Sequence, residues 1–214
     1  GAVVGEEELE AIASIAARHR LPILADEVFG EFLFGLETLP RPAMTPAPLV
    51  ITLNGFSKLL ALPGIKFGWM ALSGQEDDIR PVLTALESIA DTFLPVNEIV
   101  QAAAPELLEY GRPFLEDYRR EIRRRREAVI RKLSGTSGIS FVPPRGGFYV
   151  AVRVDDPGKS DDEALAVKIL RETGCLVHPG FFYDLEPTHL VFSLVSDPEV
   201  SLPALDRVIE CLRN

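Results

Sequence analysis

An α/β fold is the architecture this sequence predicts, with a smaller α+β portion toward its C-terminus. Short apolar runs at 21–25 and 49–53 are interleaved with stretches at 6–19 and 76–90 that have a helical pattern. That alternation is the signature of strands buried between helices. Both runs lead into chemistry-bearing residues, Asp26 after the first and Lys58 shortly after the second. Open α/β sheets place their ligands at the carboxyl ends of strands. Beyond about residue 135 the pattern changes to short alternating strands with two helices among them, as in an α+β unit.

In chain order, Leu9, Ile12, Ala13, Ile15 and Ala16 recur at helical spacing, and Glu6, Glu7 and Glu8 crowd the first turn, where acids complement the helix dipole. Residues 21–25 read as a short buried strand ending in Asp26-Glu27-Val28-Phe29. Pro40, Pro42, Pro46 and Pro48 make 37–48 an irregular connection. Strands at 49–53 and 67–72 flank the lysine loop, and 76–90 is helical. Residues 91–95 then interrupt the pattern before a helix that starts near Asn97. Between 112 and 133, Phe114, Leu115, Tyr118, Ile122, Val129, Ile130 and Leu133 form one apolar face. Arg119, Arg120, Arg123, Arg124, Arg125, Arg126, Arg131 and Lys132 solvate the other face, with Glu116, Asp117, Glu121 and Glu127 spaced to pair with them. Residues 135–138 break that helix. Strands are expected at 139–142, 147–154, 175–177 and 190–195, with helices at 161–173 and 202–212.

Composition narrows the function. Of 214 residues, 47% are hydrophobic and 25% charged, an ordinary globular balance. A chain of this size can bury about 70% of the surface its unfolded form exposes. The formal net charge of −10 argues against nonspecific binding to nucleic acid or anionic membranes, and the basic 112–133 segment is better read as a solvated helix face than as a nucleic-acid site. No apolar run approaches the roughly 20 residues of a membrane span. Only Cys175 and Cys211 are present, both in apolar contexts, which fits a reducing cytoplasm and implies no disulfide framework.

The stretch Asn54-Gly55-Phe56-Ser57-Lys58-Leu59-Leu60-Ala61-Leu62-Pro63-Gly64-Ile65-Lys66-Phe67-Gly68-Trp69 carries the most chemistry. A lysine delivered to a strand end in a cleft is suited to nucleophilic attack on a carbonyl carbon. The stretch resembles the cofactor-lysine signature of the fold-type I pyridoxal-phosphate (PLP) aminotransferases of class I/II. Gly55, Phe56, Ser57, Lys58, Pro63, Gly64 and Gly68 match that signature. Lys66 stands where the family has a phosphate-binding arginine, and a lysine there keeps the charge but not the planar fork. Asp26 matches the aspartate that contacts the pyridine nitrogen and tunes the ring as an electron sink. Phe29 stands where the family has a tyrosine bonded to the ring's 3-hydroxyl, a bond phenylalanine cannot make.

The resemblance runs from the first residues to the last helix. It implies a PLP-dependent transferase-like fold: a mixed, mostly parallel sheet in residues 1–110, the later part of a large cofactor-binding domain, and a small C-terminal domain in 111–214. It implies that Gly1 ends a turn lying inside a longer protein. It also implies that Lys58 is the Schiff-base lysine, that Ser57 and Lys66 hold the phosphate, and that the protein is a homodimer moving amino groups between an amino acid and a 2-oxo acid. The family's carboxylate-binding arginine would fall at about Val191, and no arginine lies in that strand. Two rivals stay open: a PLP-dependent lyase or decarboxylase of the same fold, favoured by that missing arginine, and a non-catalytic PLP-fold effector domain.

Overall fold

The structure, a computed structural model, describes residues 1–155 and 161–213. The chain divides into two compact units, one of residues 3–118 and one of residues 119–214 together with residues 1–2.

The first unit begins with α1 (Glu6–His19) and β1 (Ile23–Asp26). The Glu8 carboxylate accepts the free Gly5 N–H at 2.8 Å, closing the start of α1. At its other end Arg20 takes a left-handed conformation with φ 50°. Leu9, Ala13 and Ala16 are buried, and Ala16 packs with Ala25, Ala47 and Val50. Ile12 and Ile15 stay about half exposed, so the buried stripe of α1 is narrower than its apolar pattern. The first strand also differs from expectation. It starts at Ile23 rather than Leu21, because Pro22 has no N–H to enter a ladder. Nor is it buried on both faces: Ala25 faces the α1 side, whereas Leu24 is 66% exposed.

Strand β2 (Leu49–Gly55) runs parallel to β1, and β3 (Gly68–Gly74) runs antiparallel to β2, giving a mixed three-stranded sheet in the order β1-β2-β3. The proline-rich connection is irregular except for one 3₁₀ turn at Pro42–Met44. A single turn of helix, α2 (Phe56–Leu59), follows β2 directly. Helices α3 (Glu76–Thr92) and α4 (Glu98–Tyr110) follow, and the Asn97 side chain caps α4 by accepting the Ile99 N–H at 2.9 Å.

Helix α5 (Arg112–Leu133) buries Ile122, Val129 and Leu133 as its spacing predicts. Glu121 accepts from Arg124 at 2.9 Å and from Arg125 at 2.7 Å. These bonds pull its carboxyl from an ordinary 4.5 to about 2. A depressed carboxyl pKa stabilises the folded state above about 4.5, and that contribution is lost as pH falls through about 2. Because the pair is solvent-screened, Glu121→Gln is expected to cost less than about 1 kcal/mol at neutral pH. Urea melts should show the difference from wild type shrinking steadily below the ordinary carboxyl range.

The second unit contains β4 (Ile139–Phe141), β5 (Tyr149–Val154), α6 (Asp162–Thr173), β6 (His178–Pro179), β7 (His189–Ser193) and α7 (Pro198–Arg213). Its four strands are antiparallel in the order β4-β5-β7-β6. Leu190 packs with Leu165, Ile169 and Val208, and Val150, Val152 and Leu194 pack with Leu205 and Ile209 and with Val129 and Leu133 of α5. Gly174 closes α6 with φ 70°, a left-handed cap that glycine takes without strain. The strand expected at 175–177 forms instead at His178–Pro179. Cys175 is still tied to the helix end, its N–H donating to Thr173 Oγ1 at 3.1 Å, so pairing with β7 begins only past it. Cys175 and Cys211 are both buried free thiols. Among the described residues no helix is long and apolar enough to cross a membrane.

Candidate active site

The site is built where β1 and β2 end side by side. Their parallel register pairs Asp26 with Leu53, and the last rung between them is the Glu27 N–H to the Leu53 carbonyl at 2.9 Å. Past that rung β1 turns sharply. Asp26 Oδ1 accepts the Val28 N–H at 3.1 Å, and Gly30 N–H returns to the Glu27 carbonyl at 2.8 Å. The turn leaves the Asp26 carboxylate exposed while Glu27 is buried. Glu27 Oε2 pairs with Arg41 from the proline-rich segment. Its other oxygen is buried with no hydrogen-bond partner among the described residues.

Strand β2 delivers Ser57 and Lys58 on the one turn of α2. Backbone bonds at Phe56 close the loop that follows. Its N–H donates to the Phe67 carbonyl at 3.1 Å, and its carbonyl accepts Leu60 N–H at 3.2 Å and Leu62 N–H at 3.1 Å. Phe56 is fully buried, with Phe67 at 4.9 Å and Trp69 at 5.5 Å between ring centroids. The strand end and the loop's return are therefore anchored on one aromatic cluster, and Lys66 is carried back to within one residue of the bond at Phe56. A Cβ added at Gly55 would sit 2.9 Å from the Phe67 carbonyl oxygen, so glycine is what lets β3 approach here. Ala61 at φ 53° and Lys66 at φ 57° are both left-handed, at a cost of about 1–2 kcal/mol each.

Lys58 Nζ lies 5.9 Å from the centroid of the Phe29 ring, within cation–π range. The structure thus gathers Asp26, Phe29, Ser57 and Lys58 at adjoining strand ends, with Lys66 on the loop that returns to them. The donor set suits a phosphorylated pyridine aldehyde. It holds an amine for the aldehyde, a hydroxyl and an ammonium for the phosphate, and an exposed carboxylate for the ring nitrogen.

Val191 lies in β7, paired with Ala151 and His178, and is 5% exposed. A carboxylate set there unpaired would cost several kcal/mol. His189, on the same strand face, has its Nδ1 against the Pro187 carbonyl, and His178 Nδ1 is 2.7 Å from the Tyr183 hydroxyl. Two residues of the site escaped the sequence reading. The buried acid Glu27 gave no signal beyond following Asp26. Asn54 did give one: an Asn-Gly pair at the end of an apolar strand, where asparagine often bonds nearby backbone.

Residues 1–208 match the family model described as aminotransferase class I and II. The chain belongs to this family, whose cofactor is pyridoxal phosphate. It is 33% identical over its whole length to an aromatic-amino-acid aminotransferase of Thermococcus litoralis, covering 54% of that protein. It is also 33% identical over 99% of its length to an arginine–pyruvate transaminase of Pseudomonas aeruginosa, covering 53% of it. Among solved structures, an aromatic aminotransferase from Pyrococcus horikoshii aligns over 99% of this chain and 56% of its own, with a TM-score of 0.83 and 27% identity. The mixed α/β fold of this chain is the one these enzymes have. The chain spans about half the length of the curated relatives it matches.

Proposed function

We propose that the protein containing this chain is a PLP-dependent aminotransferase acting on an amino acid and a 2-oxo acid, and that residues 1–110 are the later part of its cofactor-binding domain and 111–214 its small domain. The observation that carries this is the gathering of Lys58, Ser57, Phe29 and Asp26 at the carboxyl ends of β1 and β2. When bound, pyridoxal phosphate accepts the electron pair released at the substrate α-carbon. Lys58 would hold the cofactor through its side-chain amine and would carry a proton between the substrate Cα and the cofactor's C4′, acting as general base and then general acid. Asp26 keeps the ring nitrogen protonated. Ser57 donates its hydroxyl to the phosphate, and Lys66 supplies the positive charge opposite it. Phe29 packs beside the lysine and leaves the ring hydroxyl without the bond a tyrosine would donate. A cytoplasmic homodimer is the assembly that goes with this reading.

Val191 supports a second reading, a lyase or decarboxylase on the same lysine, because no cation stands at that buried strand position. One assay separates the two. The PLP-loaded full-length protein is given a panel of amino acids with and without 2-oxo acids. The expected result is one new amino acid formed per 2-oxo acid consumed, and no turnover without the acceptor. Turnover that ignores the 2-oxo acid and releases carbon dioxide or an eliminated group would establish the second reading instead.

A further inference from the structure

We propose that Asn54 is a positioning residue whose side-chain amide holds the Asp26 and Lys58 strand ends a fixed distance apart. In a parallel ladder, a residue that donates to one carbonyl of its neighbour accepts from the N–H two residues further along. Glu27 N–H donates to the Leu53 carbonyl. The next rung would therefore be Gly55 N–H to the Glu27 carbonyl, and that rung is not made. Gly55 N–H donates instead to Asn54 Oδ1 at 2.7 Å, and Asn54 Nδ2 donates to the Glu27 carbonyl at 3.2 Å. The side-chain amide is spliced into the ladder where a direct bond would have closed it. Only one orientation of the amide satisfies both contacts, since one partner is a donor and the other an acceptor.

The splice matters because of where it falls. Asp26 immediately precedes Glu27, and α2, carrying Lys58, immediately follows Gly55. Keeping both backbone groups satisfied while the strands splay leaves the acid and the amine apart by a defined gap. Without the amide, either the rung closes and draws the two ends together or the Gly55 N–H loses its partner and the Glu27 carbonyl keeps only the Gly30 N–H. Both disturb the spacing between a group meant for a ring nitrogen and one meant for an aldehyde. This role rests on the cofactor reading above.

The test uses the full-length protein and pyridoxal phosphate itself as probe. Asn54→Ala removes both bonds, while Asn54→Asp keeps an acceptor for Gly55 N–H and loses the donor to Glu27. Cofactor Kd, the pH midpoint of the bound cofactor's visible absorption and the apoprotein Tm are measured for each. Asn54→Ala is expected to raise Kd about tenfold or more and to shift the pH midpoint, with Asn54→Asp between it and wild type in Kd. Unchanged Kd and midpoint in both variants, with a wild type that loads normally, would overturn the role of Asn54 alone. A fall in apoprotein Tm with the midpoint unmoved would reduce Asn54 to a structural residue and equally overturn it. A wild type that takes up no pyridoxal phosphate would overturn the cofactor reading and this role together.

Discussion

Replacing Lys58 with alanine in the full-length protein is expected to lower kcat/KM for amino transfer by at least about 10⁴-fold. General acid–base catalysis alone contributes up to about that factor, and in the proposed function Lys58 is the covalent anchor as well. Lys58 sits on a one-turn helix fixed by the fully buried Phe56, and Lys66, the other cation of the stretch, occupies a separate exposed turn. Borohydride reduction of the loaded protein, followed by peptide mapping, should find the cofactor bound to the peptide containing Lys58. A label on Lys66, or a Lys58→Ala variant that retains a tenth of wild-type turnover, would move the assignment elsewhere. Arginine at position 58 keeps a charge but offers no free amine at this pH, so Lys58→Arg should fail as completely as alanine.

What could be seen in the sequence follows the range of the interactions concerned. The placement of Asp26, Ser57 and Lys58 at strand ends was legible because each lies within a few residues of the end of an apolar strand, and strand ends are written locally. The helices of 6–19 and 112–133 were legible for the same reason: their caps, charges and stripes repeat within a turn or two. The splice at Asn54 was not, because it exists only through the register of β1 on β2, which pairs residues far apart in the chain. The Glu27–Arg41 pair likewise joins a strand end to an irregular segment with no periodicity of its own. Leu24 lies on the face of β1 opposite α1 and is largely exposed within this chain, which spans about half the length of its relatives. The left-handed φ of Lys66 was hidden too, since nothing in a lysine announces a conformation that loop closure imposes on it.

Asp26 is where charge and geometry can be told apart. Its Oδ1 accepts the Val28 N–H that shapes the turn, so alanine would remove a turn bond and a negative charge at once. Asparagine keeps an acceptor for Val28 and removes only the charge, leaving a neutral group that cannot hold the ring nitrogen's proton. If the charge is what matters, Asp26→Asn and Asp26→Ala should both lose about 10²–10³-fold in kcat, as for other preorganised electrostatic contacts. Both losses should come with little change in apoprotein Tm, because the carboxylate is exposed and its one backbone bond is worth only about 1 kcal/mol. An Asp26→Asn enzyme within about tenfold of wild type, beside a crippled Asp26→Ala, would show that the turn and not the charge is the contribution of this residue. The ring nitrogen's partner would then have to be sought in another acid. Glu27 is the nearest in sequence, but its carboxylate is buried and already committed on one oxygen to Arg41, so the exposed Asp26 is the acid able to meet a ligand without first breaking an ion pair.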